Sequence, residues 1–253
     1  MFKNAIVKIP CANIIAGLTS SDLGSPDYLN ALVQHQSYIN ALRDCGLAVK
    51  ILEADENYPD STFVEDTALL THLCAIVTNP GAPSRKDEIL DIKKVLAGLY
   101  ENVEEIKHSG TLEAGDVMMV ADHFYIGLSE RTNISGADQL IKILNKYGLK
   151  GSTISLEKVL HLKSGVSYLE NNNLLVSGEF INKPEFHRFN LIQVDDDESY
   201  AANSLWINNS VLVPKGFPKT KNKIERLGYP TIEVDVSEFR KLDGGLSCLS
   251  LRY

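Results

Sequence analysis

Four segments of the chain repeat one layout: a polar residue or Gly, a β-rich run, a short polar turn, a second β-rich run, then a loop with Gly or Ser. They span 66–82, 116–128, 165–179 and 203–217. The second turns at Ala121 to His123, the third at Glu170 to Asn173 and the fourth at Asn208 and Asn209. Asn- and Asp-rich turns between β-rich runs are hairpin signals. Amphipathic helical patterns follow at 87–99, 136–147 and, more weakly, 219–227. Short extended runs come after two of them, at 103–106 and 152–156. Near the start, Ser25 and Pro26 open a helix through Leu29, Leu32, Val33, Ile39 and Leu42 that Gly46 stops, and 48–52 reads as a strand.

The recurring unit is hairpin, helix, strand, and a fifth copy can be assembled from the two chain ends. Repeats of about 40 to 50 residues point to a propeller or solenoid-like array. An irregular α+β domain is the competing reading. Neither a linker nor a composition break divides the chain, so one domain over 1–253 is expected. The one long charge run, Asp195 to Glu198, reads as a solvated turn.

Composition narrows the function classes. Acidic residues outnumber basic ones 33 to 25, for a formal charge of −8. That balance argues against nucleic acid and against an anionic membrane surface as partners, since both need basic patches. A small cationic ligand is compatible with it. No apolar run approaches the length of about 20 residues that spans a bilayer. Lys8, Pro10 and Asn13 interrupt the first apolar stretch, which reads as a strand and loop rather than a signal peptide. Four cysteines, at 11, 45, 74 and 248, make neither a disulfide scaffold nor a CxxC metal site. A reducing cytoplasm is the expected compartment. Phosphate-loop, dinucleotide, Ca²⁺-loop and serine-elbow motifs are all missing, so no cofactor and no metal are expected.

What remains is a polar set on the predicted loops and hairpin starts: Asp60, Glu65, Asp66, Arg85, Glu113, Asp116, Arg131, His161 and Cys248. Asp66 and Asp116 begin two hairpins, and Arg85 and Arg131 follow them, so equivalent repeat positions present acids and arginines together. Each also has a plain structural reading. Cys248, between Ser247 and Leu249, matches a small buried apolar residue. His161, in the alternation from Leu160 to Lys163, matches a core histidine. Residue types alone leave these alternatives open.

The order and spacing of seven blocks decide between them. The blocks are 63–68 (FVEDTA), 79–85 (NPGAPSR), 111–117 (TLEAGDV), 127–133 (GLSERTN), 160–164 (LHLKS), 201–203 (AAN) and 243–248 (DGGLSC). Together they resemble the dimethylarginine dimethylaminohydrolase family, guanidino-group-modifying enzymes of the pentein fold. The resemblance runs nearly end to end. It implies an α/β protein, a five-bladed propeller of repeated ββαβ-type modules.

The resemblance also implies roles. Cys248 would be the nucleophile, His161 the general acid and then base, and Glu113 the residue that orients His161. Asp60, Glu65 and Asp66 would bind the guanidinium, and Arg85 and Arg131 the amino-acid end. Leu18 would be a lid contact, and Leu242 would meet the substrate amino group through its carbonyl. One departure stands out: the family often has two glycines after the Glu113 position, and this chain has Ala114 and Gly115.

The implied activity is hydrolysis of asymmetric dimethylarginine to citrulline and dimethylamine through an S-alkylthiouronium intermediate. Other activities of the superfamily, an arginine deiminase or a citrulline hydrolase, are the nearest alternatives. A non-catalytic pentein binding module is the alternative from another class. The expected partner is a small methylated arginine, and a homodimer is left open. Whether zinc binds Cys248 and His161 as an inhibitor is left open.

Overall fold

A computed structural model describes the chain from Met1 to Tyr253. It groups into two compact units, one of residues 1–64 with 165–253 and one of residues 65–164.

In the first unit, β1 (Asn4–Lys8) leads through a 3-10 turn to α1 (Tyr28–Asp44) and β2 (Ala48–Leu52). Asp27 caps α1, its side chain accepting the Asn30 N–H at 2.8 Å. Gly46 ends the helix with φ +86, a left-handed position that costs Gly little. One face of α1, with Ala31, Tyr38, Ile39 and Leu42, is buried.

The second unit holds two modules. The first is β3 (Ala68–Leu70), β4 (Ala75–Val77), a 3-10 turn, α2 (Ile89–Ala97) and β5 (Val103–Glu105). The next is β6 (Val117–Val120), β7 (His123–Leu128), α3 (Ile134–Lys146) and β8 (Lys150–Ser155). Asn133 caps α3 by accepting the Gly136 N–H. Leu140 and Leu144 of α3 pack with Ile76, Phe124 and Ile126 in the core of this unit. Burying each such side chain contributes about 1.5–3 kcal/mol.

The chain then returns to the first unit. The third module is β9 (Val166–Tyr168), β10 (Asn173–Val176) and β11 (Asn190–Gln193). It departs from the repeat, because two 3-10 segments, Gly178–Asn182 and Pro184–Phe186, stand where the others have an α-helix. Pro184 has no N–H to donate, which stops the first segment from continuing. The fourth module is β12 (Leu205–Ile207), β13 (Ser210–Pro214), α4 (Pro218–Arg226) and β14 (Thr231–Val234). A short α5 (Ser237–Arg240) and β15 (Leu251–Arg252) follow.

Each module forms its own three-stranded sheet with one pairing rule. The central strand is antiparallel to its hairpin partner and parallel to the strand after the helical segment. The fifth sheet comes from both chain ends, with β1 antiparallel to β15 and parallel to β2. The α/β pentein architecture of five ββαβ-type modules is therefore the fold of this chain. The run at 195–198 is a correction to the sequence reading. It opens a 3-10 helix, Asp196–Ala202, and Glu198 is buried rather than solvated.

Candidate active site

In the second unit, the polar residues converge on one imidazole. His161 is buried on the turn before the 3-10 segment Leu162–Ser164, and its Nε2 lies 2.8 Å from Glu113 Oε2. Glu113, fully buried, receives the Gly81 and Ala82 amides on its other oxygen at 3.0 and 3.2 Å. Burial alone would push His161 down. The carboxylates of Asp66 and Asp116 and the hydrogen bond to Glu113 outweigh it, raising its pKa to about 9. Burial works against the charge on Asp66, while His161 and Arg85 hold its pKa below the usual carboxylate value.

Gly115 makes this packing possible. A Cβ there would lie 2.8 Å from Asp66 Oδ1 and 2.9 Å from His161 Nδ1. Its own N–H donates to Asp66 Oδ1 at 3.0 Å.

The arginines differ. Arg85 is buried, with Nη1 at 2.7 Å from Asp66 Oδ2 and both Nε and Nη2 on Glu88 Oε2, at 3.0 and 2.8 Å. Arg131 keeps 20% of its side chain exposed and lies 3.5 Å from Glu113 Oε1. Glu65 pairs with Lys163 at 2.7 Å. The donor atoms of Asp66, Glu113 and His161 come within 4.8 Å of one another, spacing that a divalent ion can use. Here they are engaged with Gly115, Arg85, Gly81 and each other, so the cluster is an imidazole clamped by charge.

The first unit carries the remaining candidates. Cys248 sits, partly exposed, in the 3-10 segment Ser247–Leu249. The Gly245 N–H points at its Sγ from 3.4 Å, a donor that favours the thiolate. The segment is fixed on both sides. Asn203 accepts the Ser247 N–H at 3.0 Å, and a Cβ on Gly245 would strike the Asn203 amide. Tyr38 Oη, from α1, donates to Leu246 O at 2.8 Å.

Asp60, Leu18 and Leu242 are neighbours. Asp60 Oδ1 accepts the Leu18 N–H at 3.0 Å. A Cβ on Gly17 would meet both Asp60 Oδ1 and Leu242 Cδ1, at 2.9 and 3.1 Å. The loop continues with Thr19 Oγ1 donating to Lys241 O at 2.8 Å and Ser20 N–H to Asp243 Oδ2 at 2.6 Å.

The family described as N,N dimethylarginine dimethylhydrolase, eukaryotic, matches residues 27–249. The N(G),N(G)-dimethylarginine dimethylaminohydrolase of Pseudomonas aeruginosa is 56% identical, covering 100% of both chains. The chain belongs to the dimethylarginine dimethylaminohydrolase family. Two solved structures of such hydrolases superpose on it with TM-scores of 0.99, each 56% identical over 100% of both chains. One is a cysteine-to-serine variant of the Pseudomonas aeruginosa protein with citrulline, and the other a histidine-to-glycine variant as an adduct with S-methyl-L-thiocitrulline.

Within this dimethylarginine dimethylaminohydrolase-family chain, Glu113, His161, Asp66, Arg85 and Arg131 gather in one unit. Leu18, Asp60, Leu242 and Cys248 belong to the other. Ala114 is buried, and at the next position a Cβ on Gly115 would crowd Asp66 and His161. Sequence reasoning missed Glu88 and Lys163. Glu88 carried a signal, because it lies three residues after Arg85 in a helical stretch, the spacing that pairs side chains. Lys163 stands inside the 160–164 block, but its partner Glu65 is distant in sequence. No helix of the chain is long and apolar enough to cross a membrane.

Proposed function

We propose that the protein hydrolyses asymmetric dimethylarginine to citrulline and dimethylamine. The observation that carries this reading is the clamp of Glu113, Asp66 and Asp116 on His161, which keeps the imidazole protonated near neutral pH. A guanidinium is a poor electrophile, and its amine leaves only if protonated. A histidine held as the cation supplies that proton.

Cys248, as thiolate, adds to the guanidinium carbon, and the C=N electron pair moves onto nitrogen. His161 passes its proton to the dimethylamino nitrogen, the C–N bond breaks, and an S-alkylthiouronium remains. The now neutral His161 takes a proton from water. The hydroxide equivalent adds to the carbon, the C–S bond breaks, the adduct's O–H proton passes to solvent, and citrulline leaves as the thiolate is restored. The substrate's own charge assists thiolate formation, since a unit charge about 4 Å away is worth up to about 4 kcal/mol at an effective dielectric of 20.

Asp60, Glu65 and Asp66 bind and orient the guanidinium. Arg131 and Arg85 serve the amino-acid end, and a planar fork suits a carboxylate. Arg131 carries the larger share, because the Arg85 fork is already engaged with Asp66 and Glu88. This favours an α-amino acid over agmatine. Leu18 acts from the loop at 17–24 and Leu242 through its carbonyl. No metal enters the scheme. We place the reaction in the cytoplasm, whose reducing conditions suit a reactive thiolate, and none of the four cysteines is in a disulfide.

The test is release of citrulline and dimethylamine from asymmetric dimethylarginine, with Cys248→Ser alongside. Equal release of both by the wild type, abolished in the variant, is expected. A folded wild type that releases neither overturns the reading.

A further inference from the structure

Asp116 enters the chemistry above only through its charge on His161, yet three backbone segments end on its carboxylate. It is fully buried, at the start of β6. Its Oδ1 accepts the Leu162 N–H at 2.9 Å, so it pins the peptide unit that follows His161. Its Oδ2 accepts the Ser129 hydroxyl at 2.6 Å. Ser129 Oγ accepts in turn the amides of Arg131 and Thr132, at 3.0 and 3.1 Å. One donor and two accepted bonds saturate that hydroxyl. The Thr132 side chain also hydrogen-bonds to Asp116, and its Oγ1 accepts the Glu113 N–H at 3.1 Å.

We infer that Asp116 is a positioning residue for the reaction, a single buried carboxylate that sets the backbones of His161, Arg131 and Glu113 at once. The inference rests on the hydrolase reading. The donors explain why the group is an acid. A backbone amide and two hydroxyls converge on it, and a carboxylate accepts all three, whereas an amide side chain loses an acceptor site and adds two donors. Its charge also bears on the proton that His161 carries. The charged groups around His161 in this unit are Asp66, Glu113 and Asp116, with Arg85, Arg131 and Lys163 as cations nearby. Asp66 and Glu113 already share their charge with Arg85 and Arg131, respectively. The hydrogen-bond partners of Asp116, Leu162, Ser129 and Thr132, are neutral, so its field on the imidazole is less offset.

The test uses the full chain with Asp116→Asn and Ser129→Ala. For folded Asp116→Asn, kcat is expected to fall about a hundred-fold, the scale of a misplaced reacting group. The alkaline limb of its kcat profile moves to lower pH, and the His161 imidazole, followed by NMR in the ligand-free protein, titrates lower than in the wild type. Ser129→Ala loosens only the arm to Arg131, so KM for asymmetric dimethylarginine rises at least about five-fold while kcat stays within about three-fold. An unchanged His161 titration in folded Asp116→Asn overturns the inference, and that readout holds even if the wild type shows no hydrolysis and the parent reading fails. If Asp116→Asn does not fold, Ser129→Ala decides, and an unchanged KM overturns the inference.

Discussion

Glu113 holds His161 from a position where it cannot turn away. One oxygen lies 2.8 Å from His161 Nε2, and the other is tied to the amides of Gly81 and Ala82. A carboxylate fixed at both ends keeps the imidazole in one orientation and stabilises its cation.

Replacing Glu113 by Gln keeps the shape and removes the charge. The pKa of His161, raised to about 9, should fall. On the proposed mechanism the protonated form donates to the leaving amine, so the activity is expected below that pKa and lost above it. The alkaline limb of kcat in Glu113→Gln should therefore shift to lower pH, with a loss of about a hundred-fold at pH 8. A pH–rate series on both proteins checks it, and an unshifted limb would contradict the assignment.

Gly115 and Ala114 should respond in opposite ways. A methyl at Gly115 meets Asp66 and His161 at under 3.0 Å. Gly115→Ala should cost about 1–3 kcal/mol of stability and most of the activity, because the imidazole has to move. Ala114→Gly, which gives the glycine pair the sequence resemblance led one to expect, should leave kcat within about three-fold. Measuring kcat and melting temperature for both variants separates packing at His161 from a general intolerance of this turn.

The modules were legible in the sequence because hairpin turns and amphipathic periods are local signals. The turn at Asn208 and Asn209, both with positive φ, is of the kind their side chains favour. The third module was only half legible, since Pro184 and the 3-10 segments around it leave no 3.6-residue pattern to find. Glu198 was misread because an acid in a run of acids looks solvated. What buries it is the N-terminus of α4, some twenty residues on. The polar set was legible as blocks, and the structure brings two of its members, Glu113 and His161, into contact. The contacts of Glu88, Lys163 and Asp116 were not, because each depends on a partner that only folding supplies.

Glu198 caps α4 from outside the helix. It accepts the Lys219 and Thr220 amides at 3.0 and 2.6 Å and the Thr220 hydroxyl at 2.8 Å. Phe217, at the N-cap, has no side-chain oxygen to do so. Glu198→Ala should cost about 2 kcal/mol and lower the melting temperature by roughly 5 °C. Denaturant titration gives the free energy directly, and a loss under about 0.5 kcal/mol would show that water replaces the cap.

His35 makes the protein sensitive to acid. It is 2% exposed on α1, against Phe239, and burial lowers its pKa from 6.5 to about 4. Between those values the unfolded chain binds a proton that the folded chain refuses. The stability due to His35 is complete above pH 6.5 and is lost as pH falls toward 4, by up to about 3 kcal/mol. His161 runs the other way, its contribution full below 6.5 and lost as pH rises through about 9. His35→Leu should flatten the acid side of the stability curve between pH 6.5 and 4. Chemical denaturation at several pH values tests this, and an acid limb as steep as the wild type's would place the sensitivity elsewhere.

The sheet that begins at Asn4 needs residues 251 and 252 for its antiparallel edge. During synthesis β1 and β2 wait, with one flank unpaired, while some two hundred further residues are made. Cys248 emerges only three residues before the strand that closes this sheet. The Cys248 thiol and the strand that closes this sheet are therefore made almost together. A ribosome-bound chain halted before residue 248 holds every residue of the His161 clamp and lacks that thiol.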